Sequence, residues 1–227
     1  ANRIVGNPTD TPVIEVLNGG LKAKMQHAGV IAVAGAISNI RVKFADGQTA
    51  DFASHQPIDL DEGDEFQIQP PTAGLRNYLA VRGGIDVEPV LNSASFDSLA
   101  VLGPEPLKLG DTIYQGQVKA ANISVNEVGK SDLPRADEVV ELDILMGPRT
   151  DWFEQDSIEL LCQQEWLVTN ESNRVGLRLS GAQPLTRKIT YELESEGTCI
   201  GALQIPPSGQ PVLFMNDHPL TGGYPVI

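Results

Sequence analysis

IRVKFADGQTADFASHQPIDLDEGDEFQIQ, residues 40–69, alternates apolar and polar side chains in four short runs, 40–44, 48–52, 56–60 and 65–69. A period of two sends successive side chains to opposite faces of an extended chain, so each run predicts a half-buried strand rather than a helix. Asp46-Gly47 between the first two runs is the strongest hairpin signal in the chain, because glycine accepts the positive φ that a tight two-residue reversal demands. Glu62-Gly63-Asp64 marks a second reversal. Five carboxylates crowd residues 59–65, yet their spacing matches no calcium loop; a solvated acidic turn is expected there, and no metal ligand set is assigned.

Outward from this stretch the pattern repeats. Strands are predicted at 13–17 and 30–34, with Asn18-Gly19-Gly20 as a further turn, and roughly eight to twelve residues between turn signals is the signature of a sandwich or barrel. Residues 74–84, GLRNYLAVRGG, carry apolar groups on both faces, which predicts a strand in the middle of a sheet. The polar loop at 85–97 holds Ser93, Ser95 and Asp97 without any nucleophile motif, so turn bonding and capping are their expected roles. Residues 103–137, rich in Gly, Pro, Asn and charge, form either a boundary between two halves or long loops of one barrel. Beyond them, strands are predicted at 141–146, 166–169 and 173–181, and one helix at 155–164 with Ile158, Leu161 and Cys162 on a common face.

The 227 residues carry 30 acidic against 16 basic side chains, a net charge of −14. Such a surface repels phosphate backbones and anionic lipid, so neither a nucleic acid nor a membrane is expected as partner. No apolar run is long enough to span a bilayer and no leader segment is visible. Cys162 and Cys199 lie in apolar contexts and are expected as reduced, buried thiols of a cytoplasmic protein.

The end of the chain concentrates chemistry. Apolar runs at 199–205 and 211–215 flank PPSGQP, and after them come Asn216-Asp217-His218 and Thr221-Gly222-Gly223-Tyr224-Pro225. A carboxylate and an imidazole directly after a strand, followed by two glycines, fit a ligand-facing rim; on local sequence alone they fit a solvated hairpin end and a glycine turn better, since most polar strand ends are turns. Upstream, Arg174 and Arg178 alternate with apolar residues and, with Arg149, offer guanidinium groups for an anion or for pairing with the chain's own carboxylates.

Four segments in order, LRNYLAVRGGIDVEPVLNSASFD, MGPRTDWF, SNRVGLRLSG and SEG…GALQIPPSGQPVLFMNDHPLTGGYP, resemble successive signatures of the C subunit of the bacterial ATP-dependent 5-oxoprolinase. That family is also called allophanate hydrolase subunit 2, the KipI antagonist KipA, and part of the carboxyltransferase region of urea carboxylase. The resemblance covers the whole chain and implies a mainly β, cyclophilin-like closed β-barrel with few short helices. It implies one domain over residues 1–227, a fragment lacking N- and C-terminal family segments. Two departures stand out: Asn92-Ser93-Ala94-Ser95 replaces Gly-Ser-Arg-Ser, and Pro219-Leu220 interrupts the usual Asp-x-Gln-Thr-Thr-Gly-Gly-Tyr-Pro pattern.

The activity so implied is ATP-driven opening of 5-oxo-L-proline to L-glutamate, by a complex with the KipI-like B subunit and the A subunit of the 5-oxoprolinase. ATP is used by the complex and no cofactor is assigned to this chain, which is expected to be inactive alone. Charge developing on a lactam oxygen needs cationic stabilisation. Arg174, Asp217 and His218 are the catalytic candidates, and Arg149, Arg178, Gly222, Gly223 and Tyr224 the substrate-binding ones. The alternatives are a KipA-like antagonist that binds a KipI-like kinase inhibitor, a biotin-dependent carboxyltransferase of the urea carboxylase kind, and a component of an allophanate hydrolase.

Overall fold

Ile40 and Val42 point inward from β4 (Asn39–Lys43) with no exposed surface, while Arg41 and Lys43 face solvent, as the alternation requires. The computed structural model describes every residue except Val128, Lys130 and Ser131. It divides the chain into two compact units, Ala1–Glu138 and Val139–Ile227.

In the first unit, β1 (Ile14–Leu17), β2 (Lys22–Lys24), β3 (Gly29–Ile37), β4, β5 (Thr49–Ala53), β6 (Pro57–Leu60), β7 (Glu65–Ile68) and β8 (Ala73–Val81) form two four-stranded antiparallel sheets. Their orders are β1-β8-β3-β6 and β2-β7-β4-β5. Val16, Ile31, Val33, Ile58, Leu60 and Leu79 of the first sheet and Ile40, Val42, Phe66 and Ile68 of the second share one buried core. Each such aliphatic side chain contributes roughly 1.5–3 kcal/mol on burial. The opposite face of β3 and β8 is covered by α1 (Asn2–Val5), whose Ile4 and Val5 pack on Ala32 and Ala80. The central position expected of 74–84 follows from this double cover.

Turn chemistry fixes the register. Gly47, at φ 89°, closes the β4–β5 hairpin, and Asp46 Oδ1 accepts the Gln48 N–H at 2.9 Å. The acidic turn differs from expectation. Asp64 is buried, 3% exposed, and its carboxylate accepts the N–H groups of Ala45 at 2.9 Å and Asp61 at 2.8 Å, tying two turns together. In the 85–97 loop, Ser93 Oγ accepts the Ser95 N–H and Asp97 Oδ1 those of Leu99 and Ala100, which is turn bonding as expected.

The second unit contains a 3-10 turn (Thr150–Trp152), α2 (Gln155–Gln163), β9 (Trp166–Val168), β10 (Gly176–Gly181), β11 (Glu196–Gly197), β12 (Leu203–Gln204), β13 (Val212–Phe214) and β14 (Thr221–Gly222). Four strands pair as β12-β13-β10-β9 and two as β11-β14. Trp152, Phe153, Leu161, Leu185, Ile205 and Ile227 form its main core. Buried Ser157 anchors α2 by accepting the Thr186 N–H at 2.8 Å.

Three expectations are corrected. The fold is mainly β with few helices, but no sheet closes into a barrel among the described residues: β1 and β6, and likewise β2 and β5, remain edge strands, since closure requires the outer strands to pair. Alternation gives the number of strands and which face is buried, and it carries no information about edge pairing. Residues 141–146 form no strand; their apolar side chains Leu142, Ile144, Leu145 and Met146 are exposed and lack a partner strand. Cys162 and Cys199 are free but exposed, so Cys162 lies off the buried face of α2. No described helix is long and apolar enough to cross a membrane.

Candidate functional site

The segment after β13 folds back onto β10 and so gathers the predicted polar residues of the second unit. Met215 N–H reaches Val175 O at 3.0 Å, and Asp217 N–H reaches Arg174 O at 3.0 Å. These backbone bonds set the two side chains face to face. Arg174 Nε lies 2.8 Å from Asp217 Oδ2, and an Nη donates to Oδ1 at 3.3 Å. The forked geometry is the strong form of a guanidinium–carboxylate pair.

His218 follows directly. Its ring stacks on Phe214 with centroids 5.6 Å apart and planes inclined by 18°. Nδ1 stands 2.8 Å from Pro219 O and 3.0 Å from Thr198 Oγ1. A carbonyl oxygen only accepts, so this geometry assigns the proton to Nδ1 and leaves the lone pair on Nε2. Nε2 has no partner among the described residues. The imidazole is thereby oriented as a proton acceptor.

Thr198 links this loop to β11. Its N–H donates to Leu220 O at 3.0 Å, next to the β11–β14 pairing of Glu196 with Gly222. Glu196 holds Arg149 through Nε at 3.0 Å and through a second, closer contact, each side chain about one-third exposed. Arg149 and Gly222 are therefore brought together through one residue, Glu196, whose carboxylate holds the first and whose backbone pairs with the second. A Cβ on Gly222 would collide with Gln204 Nε2, whereas one on Gly223 would meet nothing nearer than Leu193 O at 3.6 Å. Gln204 is itself buried and donates to Tyr224 O at 3.1 Å. Tyr224 is half exposed, with the Arg187 guanidinium 5.7 Å from its ring centroid.

Asp217, His218 and Arg174 thus form one cluster; Gly222, Gly223 and Tyr224 follow along the same loop, and Arg149 reaches it from the segment before the 3-10 turn through Glu196. Arg178 does not join them. It pairs with Val212 two register steps beyond Gly176–Phe214, is exposed, and makes no ion pair among the described residues. The expectation that Arg149 and Arg174 are anion ligands meets a second fact: both are already paired with carboxylates of this chain.

Sequence reasoning passes over two residues. Arg187 lies in no motif. His55 borders a cavity of about 470 Å³ in the first unit, together with Gly35, Tyr78, Arg76, Arg3 and Glu127. Its backbone is in the left-handed region at φ 69°, Nε2 accepts the Gly35 N–H at 3.2 Å, and Nδ1 is 3.1 Å from Ser54 Oγ. Burial holds its pKa below the ordinary histidine value, because the charged ring is poorly solvated. The only signal in the sequence is a histidine at a strand-to-strand turn. Among the described residues no group of three or more His, Cys, Asp or Glu could hold a metal ion.

Known proteins resemble this chain in sequence and fold. The chain is 34% identical to the C subunit of the 5-oxoprolinase of Escherichia coli over 230 residues, which is all of this chain and 71% of that protein. It is 32% identical to urea amidolyase of Saccharomyces cerevisiae, covering 99% of this chain and 13% of that much longer one. The crystal structure of Kluyveromyces lactis urea carboxylase superposes with a TM-score of 0.83 at 27% identity, over all of this chain and 21% of its own. Residues 1–227 match the carboxyltransferase domain, subdomain A and B, and the chain belongs to that family.

Proposed function

We propose that this chain is the C subunit of an ATP-dependent 5-oxoprolinase, which opens 5-oxo-L-proline to L-glutamate together with a KipI-like B subunit and an A subunit. The observation that carries it is the 34% identity, across the whole chain, to a protein named as that C subunit. The site geometry supports it. A lactam carbonyl is a weak electrophile. Transfer of the γ-phosphoryl group from ATP to the lactam oxygen releases ADP and makes the ring carbon attackable. One water adds there and the ring C–N bond breaks to give an acyl phosphate; a second water releases phosphate and leaves glutamate.

In this scheme His218 Nε2 accepts a proton from the attacking water. Asp217 and Arg174 hold the loop that carries His218, and Arg174 faces the growing negative charge. Arg149 and Gly222 to Tyr224 wall the substrate, with Arg178 at the margin. ATP and water are the cosubstrates of the complex, and no cofactor is assigned to this chain. The complex is read as cytoplasmic, where exposed thiols such as Cys162 and Cys199 stay reduced.

A second function, carboxyl transfer to urea or a similar acceptor, is favoured by the likeness to urea amidolyase and urea carboxylase. Reconstitution separates the two. Labelled 5-oxo-L-proline is converted to glutamate by the assembled complex with ATP, and not by this chain alone. Turnover that instead requires bicarbonate and a biotinylated carrier would replace the first function with the second.

A further inference from the structure

The arginines of the second unit differ in what they hold. Arg149 is engaged by Glu196 and Arg174 by Asp217. Arg187 makes no ion pair among the described residues. Its backbone is fixed by an antiparallel bridge to Phe153 and by the Lys188 N–H bond to Trp152 O at 2.8 Å. One Nη donates to Ile205 O, while Nε is shielded from solvent and has no hydrogen-bond partner. The guanidinium carbon lies over the Tyr224 ring, 5.7 Å from its centroid.

A cation withdrawn from water without a counter-ion is costly, and native proteins normally supply the partner. Here burial already disfavours the charged form, pushing the guanidinium pKa down. A guanidinium with an unused donor next to Nη presents the planar fork that a carboxylate fits with two parallel bonds. Tyr224 is 45% exposed, and its hydroxyl has no hydrogen-bond partner among the described residues. No hydrogen bond of its own therefore opposes movement of the ring.

We propose that Arg187 is the anion-binding residue of the second unit, its guanidinium holding the carboxylate of a small substrate beneath the Tyr224 ring. The identity of that substrate as 5-oxo-L-proline rests on the function proposed above; the chemical class, a small carboxylate, rests on Arg187 alone.

The test uses the assembled complex, with equilibrium dialysis of labelled 5-oxo-L-proline in the absence of ATP and steady-state kinetics in its presence. In Arg187→Gln, apparent Kd and KM rise by about tenfold to a hundredfold, the range for one lost charge-assisted fork, while kcat stays near wild type. Arg187→Lys recovers part of the affinity. Competition by 2-pyrrolidinone, which lacks the carboxylate, is equal in wild type and Arg187→Gln. If Arg187→Gln lowers Tm yet leaves Kd and KM unchanged, the arginine serves only to hold Ile205 O and the proposal fails. Binding that depends on Arg187 without any turnover retains the anion site and rejects the 5-oxoprolinase assignment. Turnover with an unaltered Kd in Arg187→Gln does the reverse, and absence of both binding and turnover rejects both.

Discussion

Arg174 and Asp217 are joined twice, by a forked ion pair with Nε 2.8 Å from Oδ2 and by the Asp217 N–H bond to Arg174 O at 3.0 Å. The backbone bond fixes the loop, and the ion pair fixes the side chains that flank His218. Removing either partner deprives the other of this ion pair. Arg174→Ala and Asp217→Asn are therefore each expected to reduce turnover of the assembled complex, with a double-mutant coupling of about 1 kcal/mol in stability. Urea unfolding of the four proteins checks it; additive effects would show that the pair does not act as a unit.

His218 should matter for chemistry more than for folding. Its Nδ1 is engaged and its Nε2 is not, so His218→Gln is expected to lower kcat by roughly a hundredfold to ten-thousandfold, the usual worth of a general base. KM should change little. A kcat within a few-fold of wild type would remove His218 from proton transfer.

Adjacent glycines make a contrast. In Gly222→Ala the new Cβ runs into the buried Gln204 amide, and overpacking of this kind costs about 1–3 kcal/mol. Gly223→Ala meets nothing closer than 3.6 Å and neither glycine has a positive φ, so the second substitution should be nearly neutral in Tm. Thermal unfolding of the two variants side by side checks the contrast.

His55 makes the stability of the first unit pH-dependent. Its folded pKa lies below the unfolded value of about 6.5, so the unfolded chain takes up the proton first. The stabilising contribution is complete above pH 6.5 and is lost as pH falls through the lower folded pKa. Protonation also converts Nε2 into a donor and breaks the bond from the Gly35 N–H. Unfolding midpoints measured from pH 8 down to 5 should fall in wild type more steeply than in His55→Gln; parallel curves would contradict the assignment.

Much of the first unit is legible in the sequence because its strands are half buried, so burial writes itself into a period of two, as in Ile40, Val42 and Phe44. β2 escapes such a reading: Lys22–Lys24 is a short edge strand with two exposed lysines and no alternation long enough to detect. Leu142 to Met146 mislead for the opposite reason, being apolar in type but unpaired. At the site, Asp217, His218 and Arg174 stand out through a recognisable loop. Their mutual pairing does not, because a sequence does not say which carboxylate an arginine will choose among 30 acidic side chains. Arg187 and His55 stay hidden because each gains its character from burial and from neighbours distant in sequence, Ile205 and Tyr224 for the one, Gly35 for the other.

The central claim is tested most directly by glutamate release from labelled 5-oxo-L-proline, measured with this chain alone, with its partner chains, and with the partners plus ATP. ATP-dependent release only in the full assembly is predicted, together with its collapse in His218→Gln. Release by the chain alone, or none by the full assembly with ATP, would contradict the account.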